Sequence, residues 1–102
     1  MDMFIASTFH YLFQIIVQEG RLWADENEIA PFLGTEPSAL GETVCNHPER
    51  LSFPVNYIND DVQIPIIPFI RSMTSASMRS VERIIEEMMK ATAQDHGILT
   101  NG

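Results

Sequence analysis

The chain has 102 residues and a mass of 11.6 kDa, which allows one modest hydrophobic core and excludes two. Its 45% hydrophobic and 20% charged residues are ordinary for a globular protein and argue against wholesale disorder. The net charge of −8 is confined to residues 1–70, where ten acids face only Arg21 and Arg50. Such a surface disfavours binding to nucleic acid and favours partners of positive charge.

Cysteine usage and the N-terminus indicate a cytoplasmic protein. Cys45 is the only cysteine and cannot form an internal disulfide, so packing must hold the fold, as in a reducing compartment. Residues 1–17 are apolar, but Asp2 and the absence of a basic stretch are untypical of a signal peptide. The polar residues within this segment are untypical of a membrane span. We therefore expect no membrane association.

The N-terminal segment predicts a very apolar helix over residues 2–20. Apolar side chains recur there at helical spacing and cover more than one stripe, and Gly20 is typical of the position after a helix. The helix would lie at the centre of the core or in a subunit interface. Its apolar residues are Ile5, Phe9, Leu12, Phe13 and Ile16, with Tyr11, Ile15 and Val17 beside them.

Two shorter helices separated by a tight turn are predicted next. Asp25, with Glu28 three residues later, predicts a reciprocal N-terminal cap, and Gly34 is a typical end for that helix. Pro37 is suited to the first position of the second helix, which should end before Pro48.

Residues 52–67 predict a two-stranded hairpin. Apolar residues alternate on both arms, and the polar run Asn59-Asp60-Asp61 would form the tip. Pro54 and Pro65 lack amide donors, which indicates short edge strands rather than a large sheet.

A long helix closes the predicted domain. Helix restarts at Pro68, and residues 74–97 have the apolar spacing of a packing seam, with Gly97 as the expected stop. The sequence thus predicts a single α+β, mostly helical domain over residues 1–97. A frayed tail would follow at residues 98–102.

Residues 25–40 resemble the helix-turn-helix of small winged-helix proteins, through Leu33-Gly34 before the turn and Pro37-Ser38 after it. The closest in outline are phage excisionases and related MerR-like or pyocin-activator-like regulators. Residues 51–70 are similar to their wing, in which a proline-containing strand leads through a turn to a second strand and a closing helix. The resemblance implies a winged-helix-like domain over residues 25–73.

The chain departs from that family at the DNA-binding positions. In the family, the second helix presents Arg, Lys, Gln or Asn to base edges, and the wing tip presents cations to phosphate. Here the corresponding outward positions hold no cation, and neither does the predicted tip. A DNA-binding face would therefore have been lost or repurposed. The outward positions are Ser38, Gly41, Glu42 and Asn46.

Catalytic and metal-binding patterns are not apparent, so we expect neither an enzyme nor a cofactor. Cys45 and His47 could be two metal ligands, but a structural zinc site needs four, and His10 and His96 have no ligand-spaced companions. A Cys45–His47 nucleophile pair lacks a third orienting group. A buried or half-buried structural thiol is the simpler interpretation. Asp25, Glu26 and Glu28 fit the electrostatics of a helix N-terminus.

The expected function is the binding of another macromolecule by an acidic surface. A basic nucleic-acid-binding surface of a partner protein would fit, as would a phage- or mobile-element-encoded inhibitor that occupies it. Two alternatives remain open: a dimeric winged-helix transcriptional regulator that binds DNA through Arg50 and Arg71, and a structural subunit of a larger assembly. The candidate partner contacts are Glu28, Glu36, Glu42, Glu49, Asp60 and Asp61.

The long helix also predicts a homodimer. Two very apolar helices exceed what a core of this size can cover, and soft methionine side chains adapt well to a partner. The candidate dimer interface is Met78, Val81, Ile85 and Met88.

Overall fold

A computed structural model describes the backbone of residues 2–101 and the side chains of residues 4–92. The described part is α+β and mostly helical, as the sequence predicts, with six α-helices and three short strands. In chain order these elements are α1 (Asp2–Thr8), α2 (His10–Glu19), β1 (Trp23–Ala24), α3 (Glu26–Leu33), α4 (Pro37–Asn46), β2 (Asn56–Ile58), β3 (Asp61–Pro65), α5 (Ile66–Thr74) and α6 (Met78–Asn101).

The predicted N-terminal helix is interrupted once, at Phe9. Its φ of −107° and ψ of 22° depart from helical geometry, although its amide still donates to the Ile5 carbonyl at 3.0 Å. The hydrogen-bonded ladder therefore passes from α1 into α2. Gly20 ends α2 with φ +66°, the left-handed conformation that glycine adopts without strain.

The reciprocal cap predicted for α3 is confirmed. The Glu28 amide donates to Asp25 Oδ1 at 2.9 Å, and the Asp25 amide donates to Glu28 Oε1 at 3.0 Å. Gly34 ends the helix with φ +67°, and Pro37 opens α4 at its first position, where the missing amide has no intrahelical partner anyway. These local signals set both helices close to their predicted bounds.

The sheet has three strands, so the expectation of a hairpin alone is incomplete. Strands β2 and β3 pair antiparallel around a two-residue turn at Asn59 and Asp60, both with positive φ. Strand β1 pairs antiparallel with the other edge of β3, which gives the order β1-β3-β2. A two-residue strand is too short to show alternation in a sequence. Its pairing depends on the register with β3.

Helices α5 and α6 differ from prediction at their ends. Helix α5 begins two residues before Pro68, which is tolerated because the first-turn amides have no intrahelical partner. It ends at Ser75, whose φ is +63°, and the Ser77 hydroxyl accepts from the Ser80 amide at 3.1 Å as α6 begins. The backbone of α6 continues through Gly97 to Asn101, beyond the predicted stop. One glycine costs only about 1 kcal/mol in a helix.

The core lies between the helices and the inner face of the sheet. Phe69 of α5 is fully buried, and its ring meets those of Phe9, Phe32 and Phe53 edge-on, at centroid distances of 6.4, 6.2 and 4.9 Å. The aromatic cluster thus joins the junction between α1 and α2, helices α3 and α5, and the loop before β2. Within the described part, no helix combines the length and apolar character that a membrane crossing requires.

Candidate interaction surface

An open groove of about 670 Å³ lies between α3, α4 and the hairpin. Glu26 and Asn27 of α3 and Asp60 of the hairpin turn line this groove, which we call the acidic groove. Its two carboxylates belong to different elements and meet only through the tertiary fold. From α4 and the hairpin strands come Pro37, Ser38, Gly41, Cys45, Tyr57 and Val62.

Gly41 explains how Glu26 lies so close to α4. A Cβ at Gly41 would lie 3.3 Å from Glu26 Oε2, and this contact is tighter than ordinary van der Waals contact. The absence of a side chain lets the Glu26 carboxylate rest against the helix. Gly41 lowers the stability of the helix interior, but it lets Glu26 form part of the wall of the acidic groove.

Tyr57 and Cys45 form the less charged part of the groove. The Tyr57 hydroxyl donates to Asp60 Oδ1 at 3.3 Å. The neighbouring Cys45 side chain, together with the Asp60 carboxylate, raises the pKa of Tyr57 to about 12. The half-exposed Tyr57 ring offers a flat apolar surface beside two carboxylates.

Glu28, one of the predicted partner contacts, is committed to the fold. Its Oε1 and Oε2 accept from the two terminal nitrogens of Arg21, at 2.6 and 2.9 Å. This hydrogen bond holds the pKa of the Glu28 carboxyl below its ordinary value, and only 15% of the side chain is exposed. The Arg21 guanidinium also lies 5.0 Å from the Trp23 ring centroid. Glu28 thus offers little surface to a partner.

The other predicted contacts are exposed but only partly gathered. Glu42 follows Ser38 by one helical turn on α4, which places it at the margin of the acidic groove, and Glu36 immediately precedes that helix. Asp61 pairs with Ile58 at the start of β3, beside the turn. Glu49 lies apart on a short 3-10 helix, where its carboxylate is 3.4 Å from His47 Nδ1.

Of the predicted partner contacts, Asp60 lines the acidic groove, and Glu26, Cys45 and Tyr57 line it without having been predicted as contacts. The sequence predicted Glu26 as an acidic residue at a helix N-terminus. Its position in the sequence does not show that α4 packs against it. Tyr57 was assigned to a hairpin arm, because alternation cannot show that β2 contacts α4. Only the tertiary arrangement brings them together.

Cations are absent from the elements that form the groove. Helices α3 and α4 and strands β2 and β3 contain no Lys or Arg. Arg50 is exposed on the 3-10 helix after α4, and Arg71 Nε donates to the Ala76 carbonyl at 3.2 Å. The two arginines named for DNA binding therefore lie outside the elements that the resemblance assigns to DNA contacts.

No metal centre is present among the side chains that the structure describes. No three His, Cys, Asp or Glu side chains there are placed to hold an ion. Cys45 is exposed and lies in the groove, so the expectation of a buried or half-buried thiol is wrong, whereas His47 faces Glu49. His96, the remaining histidine beyond His10, lies outside the described side chains.

The residues predicted for a dimer interface differ in how deeply they are buried. Val81 is fully buried in the core of its own chain, so it presents no surface to a second copy. Ile85 and Met88 are partly buried against that core, and Met78 is 42% exposed. The apolar arc of α6 is wider than the part that the core covers.

No family model, curated protein or solved structure matches the chain.

Proposed function

We propose that the protein is a non-catalytic, winged-helix-like binding protein whose acidic groove engages a basic surface on a partner protein. One observation carries this proposal. The groove lies between the pair of helices α3 and α4 and the hairpin, where the winged-helix resemblance would place DNA, yet carboxylates line it and its helices and strands contain no Lys or Arg.

The order of elements supports the winged-helix-like description. Helices α3 and α4 are joined by the three residues 34–36, and the hairpin of β2 and β3 follows α4 and leads directly into α5. This is the helix, turn, helix, wing and closing helix on which the resemblance rests. Strand β1 adds an edge that ties the hairpin to α2.

Charge and shape together define the partner. Exposed carboxylates attract cations over several ångströms and speed the encounter with a positively charged surface, while the Tyr57 ring suits the face of an Arg guanidinium. The basic nucleic-acid-binding surface of another protein has this chemistry. An inhibitor encoded by a phage or mobile element, acting by occupying that surface, is the role that fits best.

The test is affinity capture with a charge-neutralised groove. We propose the triple variant Glu26→Gln, Glu42→Gln and Asp60→Asn, which removes three charges while preserving side-chain size and the turn conformation at Asp60. The immobilised wild type should retain a basic protein from native-host lysate, identified by mass. The triple variant should bind the purified partner at least tenfold more weakly.

The matched control removes three charges elsewhere. Glu82, Glu86 and Glu87 are exposed on α6, so changing all three to Gln alters the net charge equally. This control should keep wild-type affinity, and rising salt should weaken wild-type binding. Equal affinities for both triple variants would refute the groove as the binding surface.

The second candidate is a dimeric transcriptional regulator that binds DNA, and only the helix-turn-helix layout favours it. It predicts a mobility shift of duplex DNA at low salt, with a steep decline as salt rises. Under our proposal the wild type gives no shift. A shift that is lost on changing Arg50 and Arg71 to Ala would replace the acidic-groove proposal with the regulator.

A further inference from the structure

The outer side of α6 presents an apolar strip beside the part of the helix that the core covers. Met78, Ile85 and Met89 follow one another by seven and four residues, so they lie on one side of the helix. Met78 is 42% and Met89 54% exposed, whereas Val81 and Ile84 point into the core. We call these three residues the α6 flank.

We propose that two copies of the chain associate through the α6 flank and the adjoining α1. Helix α1 packs against α6 and exposes Phe4, whose side chain is 72% accessible. Large apolar side chains exposed on two adjacent helices are typical of an interaction site. The occupant is a second copy of this chain.

Charge selects the second copy as the occupant. The segment 71–102 has four acids and four basic residues, whereas residues 1–70 carry the whole net charge of −8. Two copies that met through their acidic sides would repel each other. Along α6 they meet with balanced charge, since the exposed acids Glu82, Glu86 and Glu87 accompany Arg79, Arg83 and Lys90.

A competing apolar patch lies at the sheet, where Leu22, Trp23 and Ile58 are exposed. Ile58 pairs with Asp61 beside the acidic turn, and Trp23 is already partly covered by the Arg21 guanidinium. Two copies brought together there would place like charges face to face. The sheet patch is therefore the poorer surface for self-association.

The dimensions require α1 as well as α6. The α6 flank spans the twelve residues 78–89, about 18 Å, and a helix is 10–12 Å across, so the flank offers roughly 200 Å² of the ~800 Å² that each partner buries in a typical stable interface. The adjoining surface of α1, with Phe4, supplies a second, shorter strip, and this small area predicts a weak dimer that forms at high protein concentration. Loss of either strip should therefore weaken association.

The test is the mass of the full-length protein in solution, measured by light scattering over a range of concentrations with reductant present to keep Cys45 reduced. The wild type should approach twice its monomer mass of 11.6 kDa. Met89→Glu should shift the protein to the monomer, because the charge would be buried against a copy. Circular dichroism should show unchanged helix content.

The control is Ile58→Glu, which adds the same charge at a similarly exposed apolar residue, 49% against 54%, on the sheet patch. It should remain a dimer. A wild type that stays monomeric at high concentration would overturn the proposal, and so would a dimer that Ile58→Glu dissociates and Met89→Glu does not. These measurements use no partner protein, so their failure is separate from failure of the groove proposal.

Discussion

The two sides of the molecule differ in how their exposed surfaces are built. On one side, α3, α4 and the hairpin expose carboxylates with no cation on the same elements. On the other, α5 and α6 balance their charges and expose methionines. Excess negative charge is thus concentrated on the side where we propose that a basic surface binds. The side that we propose to contact another copy has no excess charge, so repulsion would not oppose that contact.

The two sides also differ in how they are held. The acidic side depends on hydrogen bonds at helix ends and on the Arg21–Glu28 ion pair, which fix α3 against the chain before it. The helical side depends on apolar burial, with Val81 of α6 and Ile70 of α5 fully enclosed. The Phe69 cluster connects them, so we expect the two sides to unfold together.

Phe69→Ala tests that connection and should have the largest effect. The ring is fully buried and contacts three other phenylalanines, so its loss should lower the free energy of unfolding by about 3–5 kcal/mol. Urea unfolding can be followed by circular dichroism, which reports the helices, and by fluorescence of Trp23, the only tryptophan, which reports β1. Both signals should shift together.

Phe4→Ala, measured at a dilution at which the chain is monomeric, is the control, because it removes the same ring from a side chain that is 72% exposed and should change stability by less than about 0.5 kcal/mol. If the fluorescence transition of Phe69→Ala stayed at the wild-type urea concentration while the helical signal moved, the two sides would be independent units. Coincident transitions are the signature of one cooperative fold.

Glu28→Gln tests whether the Arg21–Glu28 ion pair stabilises the acidic side. The variant keeps an acceptor for the Asp25 amide but loses the charge that pairs with Arg21, which should lower the free energy of unfolding by about 1–2 kcal/mol at pH 7. Urea titrations at neutral and acidic pH measure the difference from wild type.

The pH dependence has a defined sign. Because the pKa of Glu28 is lowered in the folded state, its contribution is complete above the unfolded pKa of about 4.3 and is lost as the pH falls through the folded pKa. The gap between wild type and Glu28→Gln should therefore close in acid. Glu42→Gln removes an exposed carboxylate of α4 and should show no such gap; a similar gap in both would mean that only net charge matters.

Signals confined to a few residues allowed much of the fold to be predicted. The Asp25 and Glu28 pair, Gly34 and Pro37 each act on their own helix end, so the bounds of α3 and α4 followed from the sequence. Strand β1 could not be found this way. Trp23 and Ala24 are a strand only because Pro65 and Ile64 of β3 lie opposite them.

The groove was less predictable than the fold for the same reason. Asp60 was identifiable because a polar turn between two apolar arms has to be exposed. Glu26, Cys45 and Tyr57 belong to three elements whose contact depends on the packing of α3 and β2 against α4. The apolar periodicity of α6 likewise predicted a broad apolar face. It could not show which residues of that face are buried, such as Val81, and which are exposed, such as Met89.

Gly41→Ala should have the smallest effect, and it tests how firmly the groove wall is held. In a helix interior, alanine stabilises the helix by up to about 1 kcal/mol relative to glycine. Against this, the new methyl group would meet Glu26 Oε2 at 3.3 Å, the end of a flexible side chain that can move aside at little cost. We expect a net gain of about 0.5 kcal/mol in the free energy of unfolding, measured by urea titration.

Gly34→Ala separates the contact at Gly41 from the general effect of alanine. Nothing lies within 4 Å of a Cβ at Gly34, but its φ of +67° strains any side chain, so this variant should lose about 1 kcal/mol. A loss at Gly41 as well would show that the Glu26 carboxylate cannot move away from α4. The acidic groove would then be preorganised for a cation, and the polar side of the molecule would be as tightly constrained as the apolar side.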